Sequence, residues 1–300
     1  MSERSRLLRT RLDRLARTLR AVDDNDARSL HRARIASRRI RELLPILEFQ
    51  PDRVKKLNRR LRKVTRRLGT VREFDVLMLL IDELHVSRRR HSAALSRIGV
   101  AVSKERDDAR KRLFNRDPAS ELKRVAKRLK RLIEDTEEAK RPLPGPSRVW
   151  RWAIDARVAR RASALHDAID EAGAVYLPER LHVVRVALKK LRYAYELATE
   201  LGGNRNASDL RTMKRAQEIL GRMRDLQILI SRVRLVQASI APPNLTIWRD
   251  LDMLVAALDD DCRRLHARFM RVRGSLVSLT EKLSARRKGQ AAPSSAARVS

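Results

Sequence analysis

Cysteine is almost missing from this 300-residue chain, with Cys262 the single example. One thiol excludes an intramolecular disulfide framework and any multi-cysteine zinc site, and it suits a reducing, cytoplasmic setting. Glycine is scarce, at 9 residues. No Walker-type loop, Gly-x-Gly-x-x-Gly or His-Glu-x-x-His occurs, so neither a nucleotide-binding nor a zinc-hydrolase reading has support. Aromatic residues make up 3%, which argues against single-stranded nucleic-acid recognition, where bases stack on rings. The longest apolar runs, such as Val76 to Ile81, fall far short of a membrane span, and the opening MSERSRLLRTRLDRL has no apolar signal core. The expectation is a soluble cytoplasmic protein with no membrane insertion.

Negative charge is the last shortage. Against 37 Asp and Glu stand 70 Lys and Arg, a formal net charge of +33. Such an excess opposes compaction unless a polyanion neutralises it, so nucleic acid, an anionic membrane surface or a phosphate polymer enters as partner. With 43% hydrophobic residues the chain still has material for a substantial core.

Apolar residues recur at three- and four-residue spacing with no strand-like alternation, which predicts an all-α fold. The expected helices are 2–21, 26–49, 52–68, 70 to about 113 with a possible break, and 118–140. The second set is 147–173, 178–201, 207–220, 222–239, 245–271 and 274–287. Asp23-Asp24-Asn25-Asp26 offers capping oxygens, and Pro178 suits a first helical turn. RPLPGPS, residues 141–147, carries three prolines and a glycine and divides the chain into near-equal halves. The expected organisation is a helical repeat over about 1–140, a linker over 141–147, a second repeat over about 148–285, and a disordered tail over 286–300. APPN, residues 241–244, is a further break.

The halves share two blocks. LHRARIASRRIR (30–41) and LHVVRVALKKLR (181–192) align His31 with His182, Arg34 with Arg185, Arg38 with Lys189, and Arg41 with Arg192. LGTVREFDVLML (68–79) and LGRMRDLQILIS (220–231) align Arg72 with Arg224 and Glu73 with Asp225. The offset grows only from 151 to 152, so an internal duplication is the simplest account, and it predicts two bundles related by a pseudo-twofold axis.

On a helix, His31, Arg34, Arg38 and Arg41 fall on one face and span roughly 15 Å of rise. Ala33, Ala36, Ile40, Leu43 and Leu47 take the opposite side, as do Val184, Ala187, Leu191, Ala194 and Ala198 in the second copy. Arg59, Arg62 and Arg66, then Arg211 and Lys214, add a row before each Leu-Gly. Rows of like charge at i,i+4 cost a helix roughly 0.2 to 0.5 kcal/mol per pair, and a bound polyanion reverses that sign. Arg forks and Lys ammonium groups suit phosphate oxygens. The competing account is a solvated helix face, against which stand the matched positions and the few interleaved acids. Glu196 is placed to pair with Arg192.

The histidines are either helix-start residues at a bundle junction or donors to phosphate; no carboxylate is spaced to orient them for acid–base work. His85, His91, His166 and His266 lack metal-ligand spacing. Asp259-Asp260-Asp261 and EDTEE (134–138) read as solvated surface. Trp150, Trp152 and Trp248 are expected as core or helix-junction anchors. No metal and no cofactor is called for.

The paired pattern His-x-x-Arg-x-x-x-basic-basic-[Ile/Leu]-Arg, followed by Leu-Gly-x-x-Arg-acid, resembles the CHAD (conserved histidine α-helical domain) family over about residues 3–285. The resemblance implies two pseudo-symmetric four-helix bundles with a basic central cavity that binds inorganic polyphosphate, in a family associated with polyphosphate granules. Some members are fused to a triphosphate tunnel domain; its strands and Glu-x-Glu-x-Lys motif are absent here, so triphosphatase activity is not carried over. The binding role carries onto His31, Arg34, Arg38, Arg41 and Arg72, and onto His182, Arg185, Lys189, Arg192 and Arg224. Gln227 departs from the family's acid, which Asp75 supplies in the first half. The expected function is non-enzymatic polyphosphate binding at cytoplasmic granules, through these residues with Arg59, Arg62, Arg211 and Lys214. The alternative is nucleic-acid backbone binding.

Overall fold

The computed structural model describes residues 3–20, 27–46, 51–138, 147–201, 206–240 and 244–288. Among them the chain forms α1 (Glu3–Arg20), α2 (Ala27–Leu43), α3 (Pro51–Ser87), α4 (Ser92–Phe114) and α5 (Pro118–Glu138). It continues with α6 (Ser147–Ala172), α7 (Pro178–Glu200), α8 (Ala207–Ala238) and α9 (Leu245–Lys288). Short 3-10 turns follow α2 and precede α4, and no strand occurs among the described residues. The all-α expectation holds.

Several helix ends differ from the sequence reading, each for a local reason. Gly69, Gly221 and Gly274 lie inside α3, α8 and α9 rather than at breaks. A helical glycine costs about 1 kcal/mol relative to alanine, less than burial of neighbours such as Leu68 and Leu220 returns. Pro45 stops α2 at Leu43 and leaves a 3-10 turn over Leu44–Ile46, because a proline ring disfavours the helical conformation just before it. Between α4 and α5 the break is firm: Asp117 takes φ 41 ahead of Pro118, and its Oδ1 accepts the Ser120 N–H at 2.9 Å. Residues 268–270 of α9, in the comparable stretch of the second half, hold no proline, and that helix runs unbroken for 44 residues. Asn244 caps α9, its Oδ1 accepting the Ile247 N–H at 3.0 Å. Helix α9 continues through Lys288, beyond the expected tail boundary. The capping run 23–26, the linker core 141–146 and Leu47 lie outside the described residues.

Packing groups the chain into two compact units: Met1–Pro144 with Asp225–Asp260, and Gly145–Arg224 with Asp261–Ser300. The grouping differs from the two sequence halves, because α8 and α9 each contribute to both units. In the first unit α1 packs on α2, α2 on α3, α3 on α5 and α5 on α1, closing a four-helix ring, while α4 packs along α3. Its core comes from the apolar stripes: Leu8 and Leu15, Ala33 and Ile40, Leu61 and Val64, Leu122 and Leu129. In the second unit α6 packs on α7, with residues 207–224 of α8 and 261–288 of α9 completing four helical segments. Val158, Leu165, Val184, Leu191, Met213, Leu220, Phe269 and Leu276 fill that core. A buried polar network ties α7 to α8 and α9 there. The Tyr195 hydroxyl donates to Asp209 at 2.9 Å, and Lys282 Nζ reaches the same carboxylate at 3.1 Å.

Candidate anion-binding faces

Helices α2 and α7 present the two histidine-headed blocks in the same register. His31 and His182 are each the fifth residue of their helix. Leu30 and Leu181, Ala33 and Val184, and Ile40 and Leu191 are buried in pairs, while His31 and His182, Arg34 and Arg185, Arg38 and Lys189, and Arg41 and Arg192 are half-buried in pairs. The apolar spacing therefore fixes the rotation of each helix, and the rotation presents the cations. Both helices are also braced alike: Arg11 of α1 donates through Nη1 to the carbonyl of Arg39, and Arg161 of α6 to the carbonyl of Lys190.

In the first unit, Arg41 Nε donates to Asn58 Oδ1 on α3 at 3.1 Å. Burial holds the Arg41 guanidinium below its usual pKa, with Arg62 and Arg38 adding repulsion that Glu42 partly offsets. That coupling places Arg62 of α3 beside the α2 face. Arg34 lies over Gly69 of α3, where an added Cβ would sit in ordinary contact, 3.5 Å from Nε. Arg72, three residues on, is half-buried. Arg59 points elsewhere: it lines a 630 Å³ groove between α3 and α5 with Lys63, Arg124 and Arg128.

In the second unit, burial pulls the His182 pKa down, and Arg224 and then Arg185 push it further, against Glu179. Arg224 of α8 thus joins the α7 face, as the shared blocks suggest. The Nδ1 of His182 is buried without a hydrogen-bond partner among the described residues. Glu196 does pair with Arg192, at 3.5 Å, whereas the first half has Pro45 at the aligned position. Gly221 meets nothing within 4 Å, so the arginine contact seen at Gly69 has no counterpart there. Lys189 is half-buried; Arg211 and Lys214 are exposed on α8.

Asp75 is buried and accepts from Arg110 of α4 at 3.2 Å. Asp75 in the first sequence half is thus a structural partner within the first unit, and Gln227 offers no equivalent charge at the aligned position of the second half. Trp152 and Trp248 are about half exposed, at 49% and 48%, rather than core residues; Trp248 sits in the first turn of α9, its carbonyl accepting from Gln237. Sequence reasoning missed the cations of α5, Arg124, Arg128 and Arg131; their three- and four-residue spacing in ELKRVAKRLKRLIED was the available signal. Among the described residues no group of three or more His, Cys, Asp or Glu is gathered as a metal site, and no helix is long and apolar enough to cross a membrane.

An all-α protein of helical bundles carrying matched, histidine-headed cationic helices is the class these features define. The chain belongs to the CHAD domain family, whose model matches residues 6–234. Among solved structures it is similar to PptA from Streptomyces chartreusis, at 17% identity and a TM-score of 0.63, over 88% of this chain and 95% of that one. It is also similar to the CHAD domain from the plant Ricinus communis, at 20% identity and a TM-score of 0.56, over 93% of this chain and 89% of that one. No curated protein matches.

Proposed function

We propose that the protein binds inorganic polyphosphate without turning it over, and docks on or organises cytoplasmic polyphosphate granules. The observation that carries this reading is the shared register of the two cationic helices, His31 to Arg41 on α2 and His182 to Arg192 on α7, whose burial matches at every position but Arg39 and Lys190. A face that spans roughly 15 Å suits several consecutive phosphates better than one small anion. The charged forms of Arg41 and His182 are disfavoured first by burial and then by neighbouring arginines, and phosphate charge offsets the second of these. His31, Arg34, Arg38, Arg41, Arg62 and Arg72 serve the first face. His182, Arg185, Lys189, Arg192 and Arg224 serve the second, with Arg211 and Lys214 at its edge.

The test is titration of purified protein with long-chain polyphosphate, triphosphate and duplex DNA at physiological salt. The reading expects polyphosphate to bind tightest, with no phosphate released and an affinity that falls steeply with salt. By analogy with nucleic acids each contact contributes roughly 0.7 to 0.9 to the log–log slope. DNA binding as tight or tighter would favour a nucleic-acid backbone binder instead.

A further inference from the structure

Helices α3 and α5 are joined by a ladder whose middle rung is mismatched. At one end Arg53 pairs with Asp135 at 3.6 Å; at the other Arg67 pairs with Glu121 at 2.7 Å. Rising by seven on α3 from Arg53 reaches Arg60 and then Arg67, and falling by seven on α5 from Asp135 reaches Arg128 and then Glu121. The two helices are therefore antiparallel in a fixed register, and Arg60 stands opposite Arg128. Both arginines line the 250 Å³ and the 630 Å³ grooves that adjoin along this seam. Neither side chain makes a hydrogen bond or ion pair among the described residues.

A rung of two guanidiniums between two ion pairs lacks the acid that interhelical pairing supplies on either side. Further cations deepen the imbalance: Lys56 and Arg131 line the smaller groove, Lys63 and Arg124 the larger. Among the described residues the only acids lining the two grooves, Asp135 and Glu121, are those already held by Arg53 and Arg67. The corresponding stretch of the second unit carries Thr212 on α8 and Ser278 to Thr280 on α9. The mismatch therefore belongs to the first unit alone and is separate from the duplicated faces.

The geometry points to a second anion site at the Arg60–Arg128 rung, which takes a compact multivalent anion of the oligophosphate class. Two guanidinium forks facing one another across a groove can each bond one end of a short phosphate chain. The lysines above and below supply charge without fixed geometry. The bound anion does the work of the missing carboxylate and joins α3 to α5.

Tripolyphosphate is the probe, titrated calorimetrically into the full chain and into Arg128→Glu and Arg128→Gln. Arg128→Glu completes the ladder: the anion-free melting temperature should rise by about 2 to 4 °C, the shift expected of roughly 1 kcal/mol in a unit of this size. One tripolyphosphate site should be lost or weakened at least ~10-fold, as expected when a charge-assisted contact is removed. Arg128→Gln should lie between the two in both respects. Unchanged tripolyphosphate stoichiometry and affinity in both variants overturns the site. So does a melting temperature that falls in Arg128→Glu while Arg128→Gln matches the parent, since the rung is then not a repulsive mismatch. Failure of the polyphosphate reading of α2 and α7 shows separately, as long-chain binding indifferent to Arg38→Glu and Lys189→Glu.

Discussion

Neutralising Glu196 is expected to tighten polyphosphate binding by the second unit. Glu196 lies one turn beyond Arg192 and holds its Nε at 3.5 Å, with side chains only 19% and 17% exposed. A phosphate that approaches Arg192 therefore meets a competing carboxylate. Two unit charges at contact distance interact by about 1 kcal/mol in water and by more where solvent is largely excluded, so Glu196→Gln should improve affinity by at least about 5-fold. The stability cost is small, on the order of 0.3 to 1 kcal/mol for a partly exposed i,i+4 pair. Freeing Arg192 for phosphate also adds a contact, and the salt dependence should steepen by roughly 0.7 to 0.9 in log–log slope. The assay is long-chain polyphosphate titration of the parent and Glu196→Gln at four or more salt concentrations, with helicity checked by circular dichroism. Affinity and slope equal to the parent in a folded variant would refute the placement of Arg192 in the binding face.

Four further outcomes rest on named residues. The His182 pKa is lowered from 6.5 by burial, Arg224 and Arg185, so the folded protein binds fewer protons than the unfolded chain between its depressed value and 6.5. Stability from this group is present above 6.5 and is lost as pH falls through the folded value; a bound polyanion raises that value, so polyphosphate affinity should increase from pH 7.5 to 6, and less so in His182→Asn. Gly221 has open space where a Cβ would go, and Gly221→Ala should add about 0.5 to 1 kcal/mol of stability by chemical denaturation. Gly69→Ala should gain a similar amount and leave polyphosphate binding unchanged, because its Cβ would make only an ordinary 3.5 Å contact with Arg34 Nε. Arg110→Met strands the buried Asp75 carboxylate and should cost about 3 kcal/mol, most of it recovered in the double variant with Asp75→Asn, as read from urea midpoints.

The parts legible in the sequence are those that depend on one helix at a time. Leu30, Ala33 and Ile40 repeat at helical spacing, so the face opposite them could be named, and the structure leaves His31, Arg34, Arg38 and Arg41 half-buried there. Pro118 and Pro178 mark helix starts because a missing N–H is harmless in the first turn. Glycine is weaker punctuation: Gly69, Gly221 and Gly274 read as helix ends, yet packing of their neighbours carries α3, α8 and α9 through. Partnership between helices was less readable. Arg59 shares helical spacing with Arg62, but α5 draws it into the α3–α5 groove while Arg62 stays beside Arg41. The rung Arg60–Arg128 depends on the antiparallel register of two helices that are not consecutive in the chain, and nothing local announces it. The division into units was equally hidden, because α8 and α9 are each long enough to serve both.

The central claim is that phosphate is held by the matched registers of α2 and α7 rather than by net charge at large. Its most direct measurement compares long-chain polyphosphate affinity in Arg38→Glu with Lys189→Glu against Arg89→Glu with Arg90→Glu, at equal salt. Each double variant changes the net charge by the same amount, and Arg89 and Arg90 are exposed on the turn before α4. Binding should weaken at least ~100-fold in the first, since two charge-assisted contacts are reversed, and less than ~3-fold in the second, where only the distant field changes. Equal losses in the two variants would contradict the claim.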